Sequence, residues 1–239
     1  MSSPTYYSAI YIINRSKQNA SRMCLPEYEC DFLPKQMKLK ELAVLVANMQ
    51  KICFEDGNKK NVNSKRLYDL FTATTERTVA VALTLGYKEG VVDYKKFVDG
   101  GSATIQMSQQ GVLPTQQPWL NEVCRANRIL EKTKSPISQT MDLIDKYIRS
   151  TLMNKYKKVN GLYLYVEKSP DHGDPAFLLE YYKKYGFKEF LLDNKIDEEY
   201  YYMKKTYVGK SPSLRKTKAK SMSPNKTRKI KSTVTANSI

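Results

Sequence analysis

Residues 162–190, LYLYVEKSPDHGDPAFLLEYYKKYGFKEF, carry the densest structural signal in the chain. With Gly161 in front, Leu162–Glu167 is an almost continuous apolar and aromatic run, suited to a strand in the middle of a sheet. Asp174-Pro175 opens a helix, since proline in the first turn has no N–H to leave unpaired. The helix runs over Ala176–Tyr185 and stops at Gly186, because only glycine takes the left-handed C-cap conformation without strain. Phe187 then tucks back against it. Leu178, Tyr182 and Tyr185 share one face by three- and four-residue steps, while Lys183 and Lys184 point outward. Lys188–Leu192 and Tyr200–Tyr207 follow as two strands joined by an acidic turn around Asp193–Glu199.

Upstream, Ser138–Tyr156 places Met141, Ile144, Tyr147, Ile148, Leu152 and Met153 on one helical face. Trp119–Cys124, Ala103–Met107 and Thr78–Tyr87 read as strands. Ser64 is the expected cap of a helix through Leu67, Leu70 and Phe71. Lys40–Phe54 is an amphipathic helix closed by Asp56-Gly57, and Thr5–Asn14 is an aromatic, β-branched strand. A loop with Pro26 and Pro34 separates the last two. The order is strand, two helices, three strands, helix, strand, helix, two strands. It predicts an α+β domain built on one mixed sheet, spanning residues 1–207.

The chain has 239 residues, enough for a substantial core, and a formal charge of +16. Only 10 glycines are present, and neither GxGxxG nor GxxxxGK[ST] occurs, which argues against glycine-rich dinucleotide and P-loop folds. Cys24, Cys30, Cys53 and Cys124 lack the close spacing of a structural zinc site, and His172 is the only histidine, so no metal is expected. The cysteines read as buried or free thiols of a reducing compartment. No apolar run is long enough to cross a bilayer and no signal segment opens the chain, so the expectation is a soluble intracellular protein, cytoplasmic or nuclear.

The run Tyr182-Lys183-Lys184-Tyr185-Gly186-Phe187, followed by Met203-Lys204-Lys205, resembles the final third of the GNAT superfamily of N-acetyltransferases. The upstream order of elements fits that family as well. The resemblance implies a GNAT-like fold, with a central twisted mixed sheet flanked by helices, and an enzyme that moves an acetyl group from acetyl-CoA to a primary amine. It implies that Tyr182 protonates the departing thiolate, as a tyrosine with an ordinary pKa of about 10 can at neutral pH. Glu122 is the expected general base by topology, with Glu167 second, and His172 lies in a Pro-Asp-His-Gly-Asp loop without a placed nucleophile. The family grips the cofactor pyrophosphate with a glycine-rich Arg/Gln-x-x-Gly-x-Gly/Ala turn ahead of its long helix. The corresponding stretch here, Arg128–Thr140 (RILEKTKSPISQT), contains no glycine. Lys132, Lys134, Ser135, Ser138 and Gln139 are the groups left to receive phosphates, with Val123, Cys124 and Arg125 on the preceding strand.

From Gly209 onward there are nine Lys/Arg and no acid, so this segment carries +9 and leaves +7 for the rest. Residues 208–239 read as a disordered basic tail, with residues 209–231 able to contact nucleic acid non-specifically. Ser211-Pro212 and Ser223-Pro224 look like proline-directed phosphorylation sites, where phosphate would cancel positive charge. Such tails on tyrosine- and lysine-rich enzymes are similar to those of large DNA viruses. The alternative function is therefore a GNAT-fold protein without turnover, acting as a nucleic-acid, virion or chromatin interaction module.

Overall fold

A computed structural model describes residues 4–53, 63–73, 77–108, 116–125, 136–169 and 174–207. Strand β1 (Thr5–Asn14) turns into β2 (Asn19–Met23) and β3 (Gln36–Lys38), then helices α1 (Leu39–Cys53) and α2 (Ser64–Thr72). Three strands follow: β4 (Arg77–Tyr87), β5 (Asp99–Met107) and β6 (Pro118–Arg125). Helix α3 (Pro136–Tyr147) continues through a π turn at Ile148–Leu152 into the short α4 (Met153–Lys155). Strand β7 (Gly161–Glu167), helix α5 (Pro175–Lys184), β8 (Lys188–Phe190) and β9 (Tyr200–Thr206) complete the body. Apart from the β2–β3 pair, this is the expected order, and the fold is the expected α+β one with a single mixed sheet.

The nine strands lie in the order β3-β2-β1-β4-β5-β6-β7-β9-β8. Every pairing is antiparallel except β6 with β7. Two cores form because period-2 strands send alternate residues to opposite faces. On one face α1 and α2 bury Leu42, Val46, Met49, Leu67 and Phe71 against Tyr11, Leu83 and Leu85. On the other, α3 buries Ile137, Met141 and Ile144 against Ile10, Ala82, Ala103 and Ile105. Each such side chain, fully buried, stabilises the fold by about 1.5–3 kcal/mol.

The ends of α5 form as their residues dictate. The Asp174 side chain accepts the Ala176 N–H, and Pro175 occupies the first turn. Gly186 takes φ +85° and Phe187 is 1% exposed beneath the helix. Two local expectations are corrected. Asn63, with its side chain accepting the Lys65 N–H, caps α2, and Ser64 is the first helical residue. Cys24 and Cys30 are joined by a disulfide (Cα–Cα 6.0 Å), and Cys124 is also disulfide-bonded, so these are not free thiols. The thiol-based argument for a reducing compartment therefore falls. The basic tail, the Asp56-Gly57 stop, Lys132, Lys134, Ser135 and His172 lie outside the described residues. Among the described residues no helix is long and apolar enough to cross a membrane, and no group of acidic, histidine or cysteine side chains could hold a metal.

Candidate active site

The sheet changes character between β6 and β7. Among the described residues their only register pair is Trp119 with Tyr163. Below that rung the joint is sealed by Gln117, 6% exposed, whose amide donates to the Lys158 carbonyl (2.7 Å) and accepts from the Asn160 N–H (3.1 Å). Above it, β6 gains an extra residue: Ser102 and Thr104 of β5 face Cys124 and Asn121, so three steps on β6 match two on β5. The bulge falls at Glu122–Val123 and bends the strand. The pairing is thus wedge-like, closed at Gln117 and, among the described residues, without a register pair toward Arg125 and Glu167. Ligands of open sheets bind at such a place, beyond the carboxyl ends of parallel strands that part.

Both helices that follow these two strands begin at the open end. The first turn of α3 lies directly on β5, and Gly101 is what permits it. A Cβ there would stand 2.7 Å from Thr140 Oγ1 and 3.1 Å from the backbone N and Cα of Ile137. Thr140 Oγ1 in turn donates to Thr84 Oγ1 (3.0 Å), which also accepts from Ser8 Oγ (2.9 Å), a buried hydroxyl chain that fixes the start of the helix. The first-turn N–H groups of a helix have no intrahelical partner and carry partial positive charge. Gly101 thus sets how closely the helix start sits on the sheet, a feature of β5 that residues 128–140 do not reveal.

Helix α5 lies on the same face as α3. Tyr181, Tyr182 and Tyr185 pack against the core that contains Leu120 of β6 and Leu162, Leu164 and Val166 of β7. Tyr185 shares a hydrogen bond with Ser138 Oγ (3.0 Å), tying α5 to the first turn of α3. The Tyr182 ring rests edge-on against Phe187 at 5.9 Å, and among the described residues its hydroxyl makes no hydrogen bond. Burial, with a smaller contribution from the Tyr185 hydroxyl, pushes the Tyr182 pKa up to about 12, correcting the ordinary value expected from sequence. It therefore stays protonated at neutral pH.

The other predicted residues divide. Ser138 and Gln139 stand in the α3 first turn, half-buried. Val123 packs on the α3–α5 side, whereas the Cys124 side chain turns into the core under α1. That leaves Cys124 only its backbone to offer at the wedge. Glu122 and Arg125 belong to β6 at and beyond the bulge. Glu167 ends β7 opposite Tyr200, half-buried, on the face away from α5. That second face holds a feature that was not singled out from the sequence. Trp119 lies 5.6, 6.4 and 6.2 Å from Tyr163, Tyr165 and Tyr202, which continue to Phe190 and Tyr200 as one aromatic surface. The signal was present in the sequence, as aromatics two residues apart, Tyr163 with Tyr165 in β7 and Tyr200 with Tyr202 in β9.

No protein-family model matches the chain, and no curated protein matches it. Similar solved structures include NAA60 of Arabidopsis thaliana in complex with a bisubstrate analogue, at 11% identity over 70% of this chain and 94% of that one, TM-score 0.42. ElaA of Escherichia coli matches at 12% identity over 84% and 99%, TM-score 0.41. An acetyltransferase from Streptococcus agalactiae matches at 11% over 69% and 91%, TM-score 0.39. At such identities and scores the likeness is one of general fold and carries no residue correspondence.

Proposed function

We propose that the protein is an acetyl-CoA-dependent N-acetyltransferase acting on a primary amine. The observation that carries this reading is the wedge between β6 and β7, sealed below by Gln117 and open above beside the first turn of α3. Acetyl-CoA supplies an activated thioester and a polyanionic handle. The α3 first turn, with Ser138 and Gln139, fits the handle by its free N–H groups, and Lys132 and Lys134, which precede it in the sequence, would add positive charge. Above Trp119 the β6 edge that faces β7 has no ladder partner among the described residues, which leaves backbone N–H groups to polarise a carbonyl.

Proton movement falls to two side chains. Glu122, at the bulge, takes the proton that the attacking amine loses. Tyr182 holds its proton at neutral pH and gives it to the thiolate that leaves as the new C–N bond replaces the C–S bond. The two transfers balance, so the products are an amide and a thiol.

Calorimetry with acetyl-CoA at millimolar concentration is expected to show binding; no heat and no thermal shift would remove the reading. With binding established, Tyr182→Phe is expected to lower kcat by about 100-fold or more, the scale of a lost general acid, with acetyl-CoA affinity unchanged. A variant as fast as the parent protein would exclude Tyr182 from that role.

A further inference from the structure

The aromatic surface opposite α5 has no part in holding a polyanion, yet it reaches the wedge from its other side. Tyr165 is 48% exposed there, flanked by Trp119 at 6.4 Å and Tyr200 at 5.0 Å. Beside it opens a cavity of about 270 Å³ whose apolar wall is Phe190, Leu191, Ile196, Tyr200 and Tyr202, with Lys168 and Lys195 set against Glu189 and Asp197 in its lining. Leu191 and Ile196 on its rim are 57% and 81% exposed, so an apolar ledge stands in water next to the aromatic rings.

The charge around this ledge runs against that of the chain. In a protein of formal charge +16, the connection from β8 to β9 carries Asp193, Asp197, Glu198 and Glu199 against a single Lys195. Asp197 stays ionised, its pKa held down by the Glu199 N–H and the Tyr202 hydroxyl. The connection is thus net acidic and disfavours a nucleic acid along it, although Lys168 and Lys195 balance the two carboxylates inside the cavity. A cation would meet attraction from the carboxylates and from the ring faces, which favour an ammonium within about 6 Å of their centroids. The fold supplies its own example: the Lys204 ammonium lies 5.1 Å from the centre of the Tyr163 ring.

We infer that this surface is the acceptor subsite and that it takes a lysine side chain of a polypeptide, with the ammonium over Trp119 and Tyr165 and a neighbouring apolar residue in the cavity beside Leu191 and Ile196. The exposed ledge decides for a polypeptide over a free polyamine, which has nothing apolar and branched to place there. The inference rests on the acetyltransferase reading for the word acceptor. Its test needs neither acetyl-CoA nor turnover, so the two can fail separately.

Trp119 is the only tryptophan of the chain, so its fluorescence reports this surface directly. The full protein is titrated with the blocked peptide Leu-Lys-Leu, its norleucine counterpart Leu-Nle-Leu, the blocked peptide Gly-Lys-Gly, spermidine and a ten-residue oligothymidylate. Leu-Lys-Leu is expected to bind at least about fivefold more tightly than either other peptide, the value of one cation–π contact or one partly filled apolar pocket. Tyr165→Ala, at an exposed position, is expected to weaken Leu-Lys-Leu by a similar factor while thermal stability is kept. Equal affinity for the norleucine peptide would overturn the ammonium, tighter binding of spermidine the polypeptide, and saturable quenching by the oligonucleotide the exclusion of nucleic acid. An unchanged affinity in Tyr165→Ala would overturn the site itself.

Discussion

Gly101 sets how closely α3 approaches the sheet. With Thr140 Oγ1 at 2.7 Å and the Ile137 backbone at 3.1 Å from an added Cβ, Gly101→Ala forces the first turn of the helix off β5. Overpacking of this kind costs about 1–3 kcal/mol. The expected outcome is a lower Tm together with weaker acetyl-CoA binding in calorimetry, because the displaced N–H groups are those assigned to the phosphates. A variant that binds acetyl-CoA as before would separate the helix start from the cofactor. Gln117 acts at the same scale on the opposite end of the wedge. Gln117→Ala leaves the Lys158 carbonyl and the Asn160 N–H without their side-chain partner, a loss of about 1–3 kcal/mol read by denaturant unfolding.

Helix α3 is fastened to β9 by a polar cluster at its far end. Asp145 pairs with Lys205 and accepts the Tyr207 hydroxyl (2.5 Å), while Arg149 covers the Tyr207 ring at 4.7 Å. Asp145→Ala leaves a partly buried ammonium and a buried phenol unpaired and is expected to cost about 2–3 kcal/mol in chemical denaturation. Adding Lys205→Met should restore part of that loss; a double variant worse than the single one would refute the pairing as its cause. Elements with strong periodicity were legible from sequence for the same reason that they pack: α1, α3, α5, β4, β7 and β9 each carry the apolar pattern of their own period. Strands β2 (NASRM) and β3 (QMK) carry none, and their pairing with β1 and with each other is imposed by neighbours. The bulge in β6 is equally silent, since an extra residue is defined only against β5. Tyr182 could be named from Tyr-x-x-x-Gly-Phe, but its raised pKa depends on what buries it. The Cys24–Cys30 bond was missed because spacing alone does not say which sulfur atoms meet.

For the whole molecule, the tyrosines set an alkaline limit. Burial raises Tyr147, Tyr182 and Tyr202 to about 12 from an ordinary value of 10.0, and Tyr11, Tyr28, Tyr87 and Tyr207 higher still. Between those values the folded protein holds protons that the unfolded chain has released, so stability falls as pH rises above about 10 and is unaffected by these groups below it. With circular dichroism and tyrosinate absorbance followed together from pH 8 to 13, these seven phenols are expected to ionise in the step that unfolds the protein; complete ionisation of all tyrosines while the fold is retained would contradict their raised values. The wedge has a consequence of another kind, for the order in which the protein is made. Strands β3-β2-β1-β4-β5-β6 form an all-antiparallel plate that has left the ribosome complete while β7, β9 and β8 are still to come. Joined later to β6 through the Trp119 rung and the Gln117 bridge, the second plate is the last part to dock and the first to come away. Native-state hydrogen exchange would record this as β7 and β9 amides opening together, ahead of β1, β4 and β5.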